Sequence, residues 1–277
     1  ELTIARSRHH IETYYPEVMA RLGGFPERLK PISLSPGIDT QEQFMPYDKL
    51  NDEIAGYRLS LFSPSNYVLP EHQERYLQTD ARNFSQGVRE HYLVGMMKVG
   101  FLKRLESSVH AFRLTLKRTV DKIGELEGRI ERFKSLTAKK NNVSRNPDLP
   151  LYDESMPLFG FSADRVESSE TVLDLDDDEL QDAMQVGKKF VYELVHLDLE
   201  QWLGDLRGDK AKLQHLLEMS QSVTSGRDTK LAELKALIEH KASNPTINKQ
   251  GAENRKIIVF TAFADTAKYL YGELGGW

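Results

Sequence analysis

Cysteine is absent from this 277-residue chain, and several other signatures of enzymes are missing with it. Disulfides, cysteine nucleophiles and thiolate zinc sites are therefore excluded, which fits a cytoplasmic protein. No apolar run approaches the roughly 20 residues that a membrane span requires, so we expect no membrane association. The eight histidines never show the paired helical spacing of a metalloprotease, and no serine has the glycine-flanked setting of a hydrolase nucleophile. We therefore expect no catalytic residue and no metal site in this chain.

A nucleotide-binding phosphate loop is also missing. Gly95 and Gly100 have the glycine spacing of such a loop, but Phe101 and Leu102 stand where lysine and a hydroxyl residue are required. Both glycines lie within an apolar helical pattern, which favours a role in helix packing. We therefore expect that this chain does not bind ATP by itself.

An acidic stretch beyond the middle of the chain imitates the start of a calcium-binding loop. Asp174, Asp176 and Asp178 have the correct spacing, but Glu179 replaces the required glycine and Gln185 replaces the bidentate glutamate. A solvated acidic loop before a helix explains the stretch better, because negative charge is favourable near a helix N-terminus.

Charge is strongly segregated along the chain, although the net charge is only −5. Between Lys98 and Arg145 there are 13 basic and five acidic residues, which gives a local balance of +8. Between Asp153 and Asp182 there are 11 acidic residues and one basic residue, which gives −10. The basic stretch is therefore a candidate surface for a polyanion.

Hydrophobic periodicity predicts a mainly α fold. Apolar residues recur at steps of three and four from Leu102 to Phe133, a heptad-like seam in a helix that begins near Gly87. Such a seam needs a partner helix, and residues 179–206 are predicted to supply it, forming a long antiparallel, coiled-coil-like protrusion. A shorter helix is predicted over Met45–Phe62.

The end of the chain predicts a small, truncated α/β piece. Lys256–Phe260 is a β-branched and aromatic run typical of a strand buried on both faces, and helical spacing follows from Ala264 to Leu274. A strand and a helix are half of a βαβ unit, so we expect the chain to be a segment of a longer protein. A short edge strand is also predicted within residues 29–34.

Short phrases spread over most of the chain resemble one protein family. They comprise a basic phrase, a proline-led short strand, a helix start, two helical phrases and the final strand: Leu2–Arg8, Phe25–Leu34, Tyr47–Leu50, Phe101–Ser108 with Ala111 and Phe112, Asp228–Leu237 and Lys256–Phe263. In this combination the chain resembles the Swi/Snf-type ATPases of helicase superfamily two, including their bacterial helicase-like members. The phosphate loop, the magnesium-binding Asp-Glu pair and the late arginine motif of that family have no counterpart in this chain.

The resemblance implies that the chain is the central segment of an ATP-driven DNA helicase-like translocase. Residues 1–90 would connect two RecA-like lobes, and residues 91–243 would form a helical protrusion with an acidic, mobile loop at about 138–178. Residues 244–277 would begin the second lobe, whose strand would pair with residues 28–35. ATP and magnesium are expected to bind the parent protein, and this segment alone is predicted to be inactive.

The resemblance and the charge pattern single out candidate contact residues. Thr261 follows the strand that lies beside the DNA track in the family, so it is the first candidate for a contact to a backbone phosphate. Its alternative role is to cap the helix that follows. The second candidates are Lys98, Lys103 and Arg104, for which a solvated helix face is the alternative. Arg6 and Arg8 are expected at the nucleotide or the lobe interface, or else in ordinary surface pairs.

A different class of function explains the same helical seam. The chain would then be a non-enzymatic helical module that binds another protein through its arms. A truncated lobe would also leave apolar surface exposed, so we expect that an artificial dimer can form. A phosphate loop encoded upstream of Glu1 would decide in favour of the translocase.

Overall fold

The computed structural model describes residues 7–25, 29–76, 86–142, 192–247 and 251–275. Within these residues the chain is mainly helical, with nine α-helices, four 3₁₀ turns and one sheet of two short strands. The prediction of a mainly α fold is therefore confirmed. None of the helices in these ranges combines the length and the apolarity needed to cross a lipid bilayer. Most of the acidic loop predicted at about 138–178 lies outside the described residues, and so does Arg6.

The helices and strands belong to two compact units. In chain order the helices are α1 (Arg8–Tyr14), α2 (Pro16–Leu22), α3 (Tyr47–Ala55), α4 (Gln73–Tyr76), α5 (Gln86–Ser107), α6 (Val109–Asn142), α7 (Leu199–Gln221), α8 (Thr229–Ser243) and α9 (Ala264–Leu274), and the strands are β1 (Thr246–Ile247) and β2 (Glu253–Asn254). One unit comprises Glu1–Gly37 and Thr229–Phe260, and the other comprises Ile38–Asp228 and Thr261–Trp277.

Sequence signals set the ends of the first helices of the smaller unit. Ser7 caps α1, because its hydroxyl accepts a hydrogen bond from the His10 backbone N–H at 3.3 Å. Pro16 occupies the first position of α2, where the missing N–H leaves no helical bond unmade. Gly23 ends α2 with a φ of 74°, a left-handed conformation that glycine adopts without steric cost.

The smaller unit does not contain the strands that the sequence predicts. Its described sheet consists of two strands, β1 and β2, in antiparallel order. Lys256–Phe260 forms no strand, and the Phe260 side chain is 89% exposed. Residues 29–34 form no strand either, so both strand predictions are wrong for the structure as described. β-branched side chains favour a strand only where a neighbouring strand accepts and donates the ladder hydrogen bonds, and no described segment does so here.

In the larger unit, α3 is shorter than the predicted helix over Met45–Phe62. It ends at Ala55, and the next residue, Gly56, donates its N–H to the carbonyls at the end of the helix. Leu59 then takes a φ of 54°, a left-handed backbone through which no α-helix continues. Ser60–Phe62 forms a 3₁₀ turn whose three residues are all buried. Two short elements therefore deliver the apolar side chains that the pattern assigned to one helix.

The heptad-like seam lies on two helices instead of one. A single residue, Ser108, separates α5 from α6, and its hydroxyl accepts a hydrogen bond from the Ala111 N–H at 3.1 Å. This contact is an N-cap, which lets α6 begin anew. With 34 residues α6 is about 50 Å long. Its seam is buried as predicted, at Phe112, Leu116, Val120, Ile123, Leu126 and Ile130.

The partner of α6 is α7, and the two helices run antiparallel. The order of their contacts shows this, because Lys134 pairs with Glu200, Glu131 with Arg207, Glu127 with Lys210, and Arg113 with the carbonyls of Ser220 and Val223. Of the predicted partner over 179–206, residues 199–206 are α-helical, residues 192–198 are not, and residues 179–191 lie outside the described part of the chain. Asp198 caps that helix by accepting the Gln201 N–H, and the described residues before it form a 3₁₀ turn.

Candidate functional site at the junction of α5 and α6

The start of α9 is held against the junction of α5 and α6 by a buried cluster of charges. The Asp265 carboxylate lies 3.3 Å from Arg104 Nη1 and 3.0 Å from Arg118 Nη1. The side chains of Arg104 and Asp265 are each only 4% exposed, and that of Arg118 is 24% exposed. Two guanidinium groups therefore share one carboxylate.

Aromatic contacts complete the attachment of α9. The Arg104 guanidinium lies over the Phe263 ring, 4.7 Å from its centroid, which is the geometry of a cation–π contact. One turn into the helix, the Tyr269 ring stacks on His110 at 5.0 Å with an interplanar angle of 4°. The Tyr269 hydroxyl donates to Asp228 at 3.1 Å. Charged, aromatic and polar contacts therefore fix the orientation of α9.

Burial and charge shift the pKa values of the groups around Tyr269. Burial, followed by the negative charge of Asp228, raises the pKa of Tyr269 above its ordinary range. Burial lowers the pKa of His110, and the positive charge of Arg113 lowers it further. Burial and the neighbouring cation therefore both favour the neutral form of the His110 ring, which stacks on Tyr269.

Four hydroxyl groups form a chain beside the charge cluster. The Oγ1 atom of Thr261 lies 3.2 Å from Ser107 Oγ, which lies 2.8 Å from Thr266 Oγ1, which in turn lies 2.9 Å from Ser108 Oγ. Ser108 and Thr266 are buried, whereas Thr261 is exposed. The chain therefore leads from the protein interior to the surface. We call these four residues the hydroxyl chain.

The predicted contact residues have different surroundings. Thr261 and Arg104 come together at this junction, although they are far apart in sequence. Lys103 precedes Arg104 on α5 and is exposed. Lys98 donates from Nζ to the carbonyl of Ala55 at 2.6 Å, so it caps the C-terminal end of α3. Lys98 is therefore engaged at the end of α3 and does not contact Thr261 in the described residues.

Arg8 belongs to the smaller unit. Its guanidinium lies 5.0 Å from the centroid of the Phe25 ring, a cation–π contact near the start of the chain. Arg6, the other residue predicted at a lobe interface, lies outside the described residues. The contact of Arg8 with Phe25 is of the ordinary surface kind that the sequence left open as an alternative.

The sequence reasoning missed most of the residues that build this site. Asp265, Arg118, Ser107, Ser108 and Thr266 were not singled out, yet they supply the carboxylate, the second guanidinium and three of the four hydroxyl groups. The sequence carries little signal for them, because none of them changes the spacing of the apolar residues. Ser108 precedes the seam residue Val109, and Asp265 and Thr266 are buried in the first turn of α9.

No group of three or more potential metal ligands occurs among the described residues. Comparison with protein-family models, curated proteins and solved structures finds no match for this chain. The function therefore has to be argued from the residues and their geometry.

Proposed function

We propose that this chain is the helical central segment of a cytoplasmic, ATP-dependent DNA translocase of the Swi/Snf type. One observation carries the proposal. Two phrases that resemble that family, Phe101–Ser108 and Lys256–Phe263, are about 150 residues apart in sequence, yet their ends are in contact. Ser107 Oγ lies 3.2 Å from Thr261 Oγ1, and the Arg104 guanidinium stacks on Phe263. Two phrases that resembled the family only by chance would not be expected to contact each other in the structure.

Two further phrases of the resemblance lie near the same junction. Asp228 accepts a hydrogen bond from the Tyr269 hydroxyl on α9. The helix α3, which begins with the phrase Tyr47–Leu50, packs against α5, the helix that carries Phe101–Ser108. This convergence supports the family assignment independently of the order in which the phrases follow along the chain.

In the proposed protein this segment contacts DNA and leaves ATP hydrolysis to the lobes. Thr261 would donate its hydroxyl proton to a backbone phosphate, and Lys103 would approach a neighbouring phosphate as a point charge. The Lys103 ammonium group, one turn before Ser107 on α5, and the exposed Thr261 hydroxyl would make this junction the point at which a polyanion approaches. ATP and magnesium would bind elsewhere in the parent protein, because this chain lacks the phosphate loop.

The test is a titration of duplex DNA with the 277-residue chain, followed by fluorescence anisotropy from low to moderate salt. We expect the affinity to fall as salt rises, because each phosphate contact releases a counterion. Lys103→Glu is expected to weaken binding and to flatten the salt dependence. Lys212→Glu on α7 is the matched control, with the same change of charge away from Thr261, and it should have the smaller effect.

Two outcomes would overturn the proposal. One is the absence of DNA binding even at low salt, which would favour the helical protein-binding module instead. The other is ATP turnover by this chain alone in a phosphate-release assay with DNA present, because the proposed division of labour leaves no site for hydrolysis here.

A further inference from the structure

The hydroxyl chain contains one more proton than it has contacts to use. Four hydroxyl groups carry four protons, whereas three contacts link Ser108 to Thr266, Thr266 to Ser107, and Ser107 to Thr261. Each contact uses one proton. One proton is therefore left over, on whichever of the four hydroxyl groups does not donate within the hydroxyl chain.

The two ends differ in exposure. Ser108 is buried, and its oxygen already accepts the Ala111 N–H at 3.1 Å. A spare proton there would be buried without an acceptor among the described residues, which is costly. Thr261 is exposed, and its oxygen accepts the Phe263 N–H at 3.3 Å. Between the two ends, Thr266 is buried and Ser107 is only half-exposed. A spare proton meets solvent most fully on Thr261, so the hydroxyl chain donates in the direction from Ser108 to Thr261.

We propose that Thr266 is a positioning residue that fixes this direction. It accepts from Ser108 and donates to Ser107, so Ser107 donates in turn to Thr261. The Thr261 proton is then free to be donated outward to an acceptor such as a phosphate oxygen. This inference rests on the proposed function, which supplies the phosphate. The buried position of Thr266, next to Asp265 on α9, keeps its hydroxyl in the chain.

The test replaces the buried Thr266 hydroxyl with a methyl group, which leaves the shape of the side chain nearly unchanged. In Thr266→Val the link to Ser107 is lost, so the remaining contact between Ser107 and Thr261 can form in either direction. The outward donor is then no longer preorganised, and we expect duplex DNA to bind roughly threefold more weakly. Thr266→Ser keeps a hydroxyl at this position and is expected to restore most of the affinity.

A control and a coupling measurement separate this role from a structural one. Thr119→Val removes another buried hydroxyl, on α6, which donates only to the Thr115 carbonyl at 2.9 Å, and it should leave the affinity unchanged. Thr261→Val removes the outward donor and should weaken binding about tenfold, as loss of a hydrogen bond to a charged group does. Adding Thr266→Val to Thr261→Val should then have no further effect on the affinity, because Thr266 acts through Thr261.

The outcomes distinguish this inference from the function on which it rests. If the unmodified chain does not bind duplex DNA, the proposed function fails. If it binds but Thr266→Val binds equally well, the positioning role of Thr266 is wrong while the function stands. The same conclusion follows if the effects of Thr266→Val and Thr261→Val add in the double variant, since a purely structural loss would be independent of the Thr261 hydroxyl. Urea unfolding of each variant shows whether it is folded under the conditions of the titration.

Discussion

Two buried carboxylates in the larger unit hold arginine side chains in different ways. Asp39 accepts the backbone N–H groups of Gln41, Gln43 and Phe44 at 3.0–3.1 Å and pairs with both Nε and Nη2 of Arg227. Asp265 is held by two arginine side chains, Arg104 and Arg118. The first carboxylate is bound by its own loop and one arginine, whereas the second is shared by two arginine side chains.

The difference separates a structural contact from a candidate site. The Asp39 cluster joins its own loop to Arg227, the residue that precedes Asp228. The Asp265 cluster lies beside a hydroxyl chain that ends at an exposed threonine. Burial of a carboxylate is common to both, so burial alone does not identify a candidate site. Access from the cluster to a solvent-exposed donor distinguishes the two.

The largest effect is expected from removal of the Asp265 charge. Asp265→Asn removes the carboxylate charge with which the buried Arg104 pairs, and we expect the free energy of unfolding to fall by about 3 kcal/mol in urea titrations. The double variant Arg104→Met with Asp265→Leu removes the whole buried pair and should regain most of the loss, because Arg118 is partly exposed and can reach solvent. Equal instability of the single and double variants would show that charge burial is not the cause.

The second largest effect is a loss of unfolding free energy in acid, caused by protonation of Asp39. The Arg227 guanidinium holds the pKa of Asp39 well below its usual range, and the backbone N–H bonds lower it further. A carboxyl group with a lowered pKa stabilises the fold above its unfolded pKa of about 4, and the stabilisation is lost as pH falls below that value. Unfolding free energies between pH 5 and pH 3 should therefore decline less steeply in Asp39→Asn than in the unmodified chain.

A third buried cluster, around His196, should make the stability depend on pH in a higher pH range than Asp39 does. His196 is buried against His72, with ring centroids 3.9 Å apart, and its Nδ1 lies 2.7 Å from the Tyr76 hydroxyl; Arg75 and Glu193 are the nearby charges. Burial lowers the pKa of His196, and His72 lowers it further. The resulting stabilisation is present above the unfolded pKa of about 6.5 and is lost as pH falls below it.

Thermal unfolding of the unmodified chain at pH 7.5 and pH 5.5 measures this loss. His196→Gln should reduce the difference in stability between the two pH values, because glutamine cannot be protonated. A pH dependence that persists unchanged in this variant would assign the titration to other groups.

The smallest effect is expected at Lys98. Lys98→Ala removes the contact with the Ala55 carbonyl, which is partly exposed, so we expect a loss of only about 0.5 kcal/mol in unfolding free energy. Because the ammonium group is engaged at the end of α3, its removal should change the affinity for DNA less than Lys103→Ala does. The reverse order would place the phosphate contact at Lys98, as the sequence alone allowed.

The sequence pattern predicted a helix correctly wherever one uninterrupted stripe of apolar residues runs along it. The helix from Ala264 to Leu274 was predicted with its true bounds, and the predicted seam of α6 is fully buried at Phe112, Ile123 and Ile130. The pattern failed where one residue interrupts a stripe without changing its period. Ser108 restarts the helix by capping it, and Leu59 ends one by taking a left-handed backbone. Neither event alters the spacing of the neighbouring apolar side chains.

The candidate site was only partly predictable for a related reason. Thr261 and Arg104 were selected by resemblance and by charge, and the structure brings them to one junction. The role of Asp265 depends on Arg118, which is 147 positions away in sequence, and no local pattern records such a contact. The hydroxyl chain likewise joins residues from two distant segments. Long-range polar contacts of this kind follow from the packing of the helices and not from their periodicity.

The unpaired Lys256–Phe260 segment has a practical consequence for concentrated solutions of this chain. Ile258 and Phe260 are 77% and 89% exposed, in a run whose composition suits a β-ladder. Strand-forming apolar segments without a neighbour recruit the same segment from other molecules. Sedimentation coefficients should therefore rise with protein concentration, and a charged residue at Ile258 should keep the chain monomeric.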